Sequence, residues 1–300
     1  GRWAQRKFDP SSQQFFLTTF LSARYCSRGI SRQSAWKVSY YRGNMSSTLE
    51  NTSAMKGSML AVALSQAEVL SYIKELSNEF EDVKVSVGCI NSPKSVTVSG
   101  EVVQLDSLKN LLDKDGVFCR MLKVKLAYHS SQMKEIASSY LSALGDLESD
   151  YAGRKNWPEM ISSVTGDWVS PGDTSQAFHW VNNMISPVKF SDALFTLCSG
   201  SSSSSHKVLD GSHRRTISID HILEVGPHSV LQGACKDVLK GIKRETPVEY
   251  LSLLVRNTSA ADTVLTALGK LFAGGYSVDL AMANGFDSPD RQSLKSLSDL

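Results

Sequence analysis

Three hundred residues, 41% apolar, with a net charge of +2, suit one large globular domain or two smaller ones. Charges are scattered without a long basic block, which excludes an electrostatic nucleic-acid binder. The apolar run at residues 15–21 (FFLTTFL) falls short of the roughly 20 residues that span a bilayer. Five cysteines (Cys26, Cys89, Cys119, Cys198, Cys235) stand far apart and are odd in number. That argues against a disulfide framework or a zinc site and for a reducing, cytoplasmic setting. The chain opens on glycine, which reads as a fragment or a processed product. The basic flank of the run at 15–21 is followed by no convincing small-residue cleavage site, so the segment reads as ill-defined sequence rather than a signal.

Residues 31–43 predict a helix capped by Ser31, carrying Ala35 and Val38 at helical spacing and stopped at Gly43. Residues 44–56 are polar and loop-like. Residues 59–64 predict a strand, and 65–76 a helix with Ser65 and Glu68 as a capping box. Residues 83–90 alternate with Val83, Val85, Val87 and Cys89 on one face, a half-buried strand. Asn91-Ser92-Pro93 predicts a turn, 95–99 a strand ended by Gly100, 103–112 a helix, and 117–126 a fourth strand. The order β-α-β-β-α-β is that of a ferredoxin-like unit.

His129 then stands between a strand-like run and a helix-like run that starts at Ser131 and extends to 147. A histidine at such a junction can face a cleft and move protons. A strand at 160–165 follows, then a helical region from 175 to 198 that Pro187 divides in two. Residues 199–205 (SGSSSSS) predict a solvated low-complexity loop. Strands at 222–225 and 248–254 and helices at 229–239 and 260–271 continue the alternation expected of a parallel α/β sheet. Residues 287–300 read as a linker. The fold expected is therefore α/β: an incomplete α/β-hydrolase-like large domain with an inserted ferredoxin-like βαββαβ small domain. The boundaries are 1–24 atypical or mis-joined, 25–56 a remnant of the large subdomain, 57–126 the small subdomain, 127–286 the rest of the large one, and 287–300 the linker. A cleft between two such parts is a natural ligand site.

Seven blocks occur in order: 34–43 (SAWKVSYYRG), 57–64 (GSMLAVAL), 89–100 (CINSPKSVTVSG), 126–133 (LAYHSSQM), 179–194 (HWVNNMISPVKFSDAL), 224–233 (EVGPHSVLQG) and 250–256 (YLSLLVR). Together they resemble the acyltransferase domain of fungal highly reducing type I polyketide synthases, a family related to malonyl-CoA:acyl-carrier-protein transacylases. The resemblance covers residues 25–285 and implies ping-pong acyl transfer. In that scheme a serine at a strand–turn–helix elbow attacks malonyl-CoA, a histidine acts as base and acid, and the acyl group passes to phosphopantetheine on a carrier domain. His129 holds the position of the catalytic histidine. Arg42 holds that of the arginine that pairs with the malonate carboxylate, a task that suits a planar, permanently charged fork. Asn91 holds that of an asparagine near the cleft, and residues 186–190 match a segment whose carbonyl orients the histidine ring. Residues 126–128 resemble malonyl-selective members. The partners implied are malonyl-CoA, an acyl carrier domain and neighbouring synthase domains, with no nucleic acid and no membrane. The domain itself needs no cofactor and no metal.

The chain departs from the pattern in one place. No Gly-x-Ser-x-Gly occurs in it, and the elbow serine, about 25 residues before the arginine in the family, falls at Leu17. A join between unrelated sequence and a true domain would produce this. The chain as given is expected not to acylate itself on serine, and nothing identifiable near Cys26 would activate a thiol in its place. The alternative is a non-catalytic remnant that binds a carrier or docks within a synthase. Taken singly, His129 is an ordinary core or surface histidine, Arg42 a solvated helix-end residue favoured by the dipole, and Asn91 a turn residue. The remaining histidines show no ligand spacing, and His228 is expected to cap or pack at the start of its helix.

Overall fold

The computed structural model describes residues 21, 24–25, 29–149, 159–199, 219–243 and 246–285. Expectations about residues 1–20, Cys26, the serine run at 201–205 and the linker at 287–300 lie outside them. The chain forms two compact units, residues 1–218 with 232–245, and residues 219–231 with 246–300.

In the larger unit, α1 runs Arg32–Thr52, with Ser31 capping it by accepting the Ser34 N–H at 3.2 Å. The expected stop at Gly43 and the loop at 44–56 are not observed; the helix continues to Thr52. A glycine inside a helix costs about 1 kcal/mol relative to alanine. Here a buried stripe of Ala35, Val38, Arg42, Ser46 and Leu49 outweighs that cost. The stripe packs on α4 (Ala137–Leu144), where Tyr140 donates its hydroxyl to the Val38 carbonyl at 3.1 Å. Val38, Leu49, Met133, Tyr140, Leu144, Trp180 and Met184 share one core.

A five-stranded sheet stands beside this helical layer, in the order β4-β1-β3-β2-β7. Its strands are β1 (Gly57–Val62), β2 (Val85–Ser92), β3 (Ser95–Glu101), β4 (Cys119–Met121) and β7 (Val188–Lys189). The first four pair antiparallel, and β7 joins β2 in parallel. Helices α2 (Gln66–Glu75) and α3 (Val102–Lys114) lie between β1 and β2 and between β3 and β4 in the chain. Val69, Ile73, Leu105, Leu108 and Leu112 from these helices pack on Leu60, Val62, Val85, Val87, Val96 and Val98 from the sheet. Fully burying each such side chain contributes about 1.5–3 kcal/mol. The Ser65–Glu68 capping box forms as the sequence predicts.

Three sheet expectations change. Asn91-Ser92 continues β2 rather than turning, and the turn is Pro93-Lys94. Cys89 leaves the face of Val85 and Val87, because the register with β3 shifts between Val87 and Cys89. An extra residue there, Gly88, reverses the period-two parity. The fourth strand ends at Met121, not at residue 126, so an irregular segment and not a strand carries the chain to His129.

The expected helix after Ser131 splits into a 3-10 turn, Ser131–Ile136, and α4. The strand expected at 160–165 shrinks to β5 (Ile161–Ser162), paired with β6 (Asp167–Trp168). After the one-turn α5 (Pro171–Thr174) comes α6 (Ala177–Ile185), which packs on α4. Pro187 separates α6 from α7 (Phe190–Ser199), with β7 between them. Both α7 and α8 (Gln232–Lys240) contact β2.

The smaller unit holds the parallel pair β8 (His221–Glu224) and β9 (Glu249–Ser252), with α9 (Ala260–Ala273) packed on β9 and the short α10 (Leu280–Ala283) beyond. His228 does not cap a helix; its Nδ1 accepts the Arg256 N–H at 3.1 Å. Glu224 accepts the N–H groups of Val230 and Leu231, and burial pushes its carboxyl up. Among the described residues, no helix is long and apolar enough to cross a membrane.

Candidate active site

His129 has φ = 59°, one of two non-glycine residues among those described that occupy the left-handed region. Such a conformation costs of order 1–3 kcal/mol and persists only where the surroundings enforce it. The enforcement is local. Ser130 donates its hydroxyl to the Ala127 carbonyl at 2.6 Å and accepts the Gln132 N–H at 3.2 Å. Gln132 Oε1 accepts the Ala127 N–H at 2.8 Å. The chain from 127 to 132 is thereby closed into a loop with His129 at its apex.

The imidazole is almost wholly buried, and its Nδ1 lies 2.9 Å from the Ser186 carbonyl. Ser186 ends α6 in an extended conformation, as a residue before proline prefers. Its carbonyl therefore leaves the helix and is free to meet the ring. A carbonyl can only accept, so Nδ1 carries the proton and the lone pair sits on Nε2. Burial first, and then the nearby Arg42 charge, lower the ring's pKa to about 3, against the opposing carbonyls of Ser186 and Asn183. The ring is a neutral base across the physiological range.

Arg42 stands in the middle of α1, not at its end, and only 5% of its surface is exposed. Its Nη1 donates to Asn183 Oδ1 at 2.8 Å. Among the described residues, no carboxylate pairs with it. Burial pulls its pKa below the ordinary value, with the phenols of Tyr140 and Tyr128 acting in the other direction. A buried cation met by one neutral amide retains most of its capacity to bind an anion.

The structure thus brings His129 and Arg42 together, both tied to the end of α6. Asn91 stays apart. It is half-buried on β2 and donates to Thr97 Oγ1 at 3.1 Å, and no hydrogen bond among the described residues joins it to the other two. Sequence reasoning missed Gln132, Asn183 and Gly88. A Cβ on Gly88 would come 3.2 Å from the Tyr128 carbonyl and 2.3 Å from Ser99 Oγ, so the bulge lets the histidine loop approach β2. An isolated glycine within a β pattern was the available signal for it; the two amides carried none. A cavity of about 230 Å³ lined by Tyr250, Thr263 and Lys270 lies within the smaller unit and includes neither His129 nor Arg42. Among the described residues, no group of three or more His, Cys, Asp or Glu could hold a metal ion.

These features define a mixed α/β protein whose histidine is held as a neutral base beside a buried arginine that no carboxylate among the described residues neutralises. The family described as "Acyl transferase domain" matches residues 21–278, and the chain belongs to it. It is 38% identical over 271 residues to Highly reducing polyketide synthase 40 of Fusarium mangiferae, covering 88% of this chain and 11% of that protein. Over 274 residues it is 37% identical to Highly reducing polyketide synthase alnA of Emericella nidulans, covering 89% and 11%. The chain therefore spans about a tenth of the length of these relatives. Among solved structures, the acyltransferase domain from module 8 of the salinomycin polyketide synthase matches with a TM-score of 0.68 and 26% identity, over 87% of this chain and 54% of that one. A loading acyltransferase from the avermectin modular polyketide synthase matches with a TM-score of 0.66 and 25% identity, over 84% and 69%.

Proposed function

We propose that this chain is the malonyl-recognising part of a polyketide synthase acyltransferase domain, one that moves malonyl from malonyl-CoA to phosphopantetheine on an acyl carrier domain. The observation that carries this reading is the buried Arg42 guanidinium, unmatched by any described carboxylate, beside His129. A malonyl thioester ends in a carboxylate that a planar fork binds with two parallel hydrogen bonds. Its other end is a thioester carbonyl, whose attack by a hydroxyl needs a base, and His129 Nε2 has the lone pair for that. The Ser186 carbonyl fixes the tautomer and steadies the imidazolium once the proton has moved. We assign Asn91 a place at the margin of the cleft.

The same reading names the β1-α2-β2-β3-α3-β4 segment a ferredoxin-like small subdomain, inserted at about residues 57–126 into an α/β-hydrolase-like body. The order β4-β1-β3-β2 supports it. Binding without turnover is the expected behaviour of the chain as given, since it contains no Gly-x-Ser-x-Gly. Titration calorimetry with malonyl-CoA and acetyl-CoA, with intact-mass measurement after incubation, tests the proposal. Preference for the malonyl thioester, lost in Arg42→Ala, is the expected result, with no added malonyl mass. Equal affinity for both thioesters would remove the malonyl assignment and leave a carrier-docking module.

A further inference from the structure

Gln132 is buried deeply for a neutral amide, with 2% of its surface exposed. It lies on the 3-10 turn that follows His129, and its three side-chain hydrogen bonds on the described chain serve two segments. Oε1 accepts the Ala127 N–H at 2.8 Å. Nε2 donates to the Met55 carbonyl at 2.8 Å and to Ser53 Oγ at 3.2 Å. Ser53 is the C-cap of α1, the helix that carries Arg42. Ser53 in turn donates to Glu135 on the same 3-10 turn at 3.1 Å. One amide therefore joins the end of the arginine helix to the start of the histidine loop. The space around it is closed: a Cβ added at Gly57 would fall 2.1 Å from Gln132 Oε1 and 2.4 Å from the Ala127 nitrogen.

We propose that Gln132 is a positioning residue that clamps the histidine loop to the end of α1, holding His129 in its left-handed conformation and at fixed distance from Arg42. The inference deepens the proposed function and rests on it for the roles of the two residues. His129 has no stabilising helix or strand of its own, so its strained backbone needs an outside anchor. The Ser130 hydroxyl closes the loop on itself but ties it to nothing else. Beside the ring's own bond to the Ser186 carbonyl, Gln132 supplies that tie from the backbone side. An apolar side chain of similar volume would leave the buried Ala127 N–H and the part-buried Met55 carbonyl without their partner, and the loop would open to water to satisfy them.

The test follows the imidazole of ligand-free protein by NMR, assigned with His129→Gln, in the parent, Gln132→Leu and Gln104→Leu. Gln104 is a matched control. It is buried to a similar degree on α3, accepts the Lys84 N–H at 2.7 Å and donates to the Asp82 carbonyl at 2.8 Å, and none of these bonds involves the histidine loop. The charged group facing the ring is Arg42, unchanged in all three proteins, with the Tyr128 and Tyr140 phenols turned to that arginine. In Gln132→Leu the ring gains water and its protonation midpoint rises by about one pH unit or more, while Gln104→Leu leaves it in place. A midpoint unmoved in Gln132→Leu, or moved equally in Gln104→Leu, overturns the proposal. Should Gln132→Leu fail to fold, amide exchange in the unmodified protein decides. Protection of the Ala127 N–H comparable to β1 amides supports the clamp, and exchange as fast as at Lys123 overturns it. Malonyl binding plays no part in these readouts, so failure of the malonyl reading shows separately, in the calorimetry with Arg42→Ala.

Discussion

Replacing Arg42 by methionine should make the protein more stable while removing its discrimination between thioesters. The side chain is buried and makes one described hydrogen bond, to Asn183 Oδ1 at 2.8 Å. Taking an unpaired cation out of water costs several kcal/mol after relaxation. A hydrogen bond to a charged group returns about 1.5–3 kcal/mol of that. Methionine removes the charge but keeps the length and the apolar stem, and it leaves Asn183 Oδ1 unsatisfied at a cost of about 1–3 kcal/mol. The balance favours Arg42→Met by about 1 kcal/mol, which for a chain of this size raises Tm by about 2–4 °C. Arg42→Met/Asn183→Leu removes the orphan too and should rise further. On the ligand side, losing the proposed pair between the guanidinium and a malonyl carboxylate should cost about 3–5 kcal/mol, or roughly a hundredfold or more in Kd. Scanning fluorimetry and calorimetry with the two thioesters read both quantities. A fall in Tm together with an intact malonyl preference would refute the reasoning, since it would mean the charge is already neutralised in the free protein.

Acid should act on His129. Its folded pKa is about 3, against an ordinary value of 6.5. The unfolded chain therefore takes up a proton first, and the stability from burying a neutral ring is complete above about pH 6.5 and is lost as pH falls toward 3. Urea midpoints between pH 5.5 and 4.5 should show His129→Gln losing about 1.4 kcal/mol less per pH unit than the parent; equal slopes would contradict a neutral buried ring. Two glycines should respond in opposite directions. Gly43→Ala meets nothing within 4 Å and should stabilise α1 by about 1 kcal/mol. Gly88→Ala, whose Cβ would meet Ser99 Oγ at 2.3 Å, should cost about 1–3 kcal/mol and displace the His129 resonances. Ser65→Ala removes the hydroxyl half of the capping box, leaving the backbone N–H of residue 65 on the Glu68 carboxylate, and should cost about 1 kcal/mol by chemical denaturation.

Local chemistry made much of this protein legible in its sequence. Ser65 and Glu68 mark a helix start because the side chain and the backbone satisfy each other within four residues. Pro187 divides two helices because it has no N–H to give. The blocks around Arg42 and His129 are enough to place both residues in one family, and an arginine or an imidazole keeps its chemistry wherever the chain takes it. What lay out of reach depends on neighbours distant in the chain. Gly43 reads as a stop, yet α1 passes through it because Tyr140, about a hundred residues on, covers the face that holds Val38. The bulge at Gly88 reverses the alternation of β2 to admit the Tyr128 carbonyl, a contact that no period-two pattern contains. Arg42 reads as a solvated helix end when taken alone; only packing against α4 and α6 buries it, strips its water and leaves Asn183 as its described partner. The residue types were set by the chain, whereas desolvation, the left-handed backbone of His129 and the approach of the two groups are properties of the packed molecule, because each depends on which atoms exclude water from which.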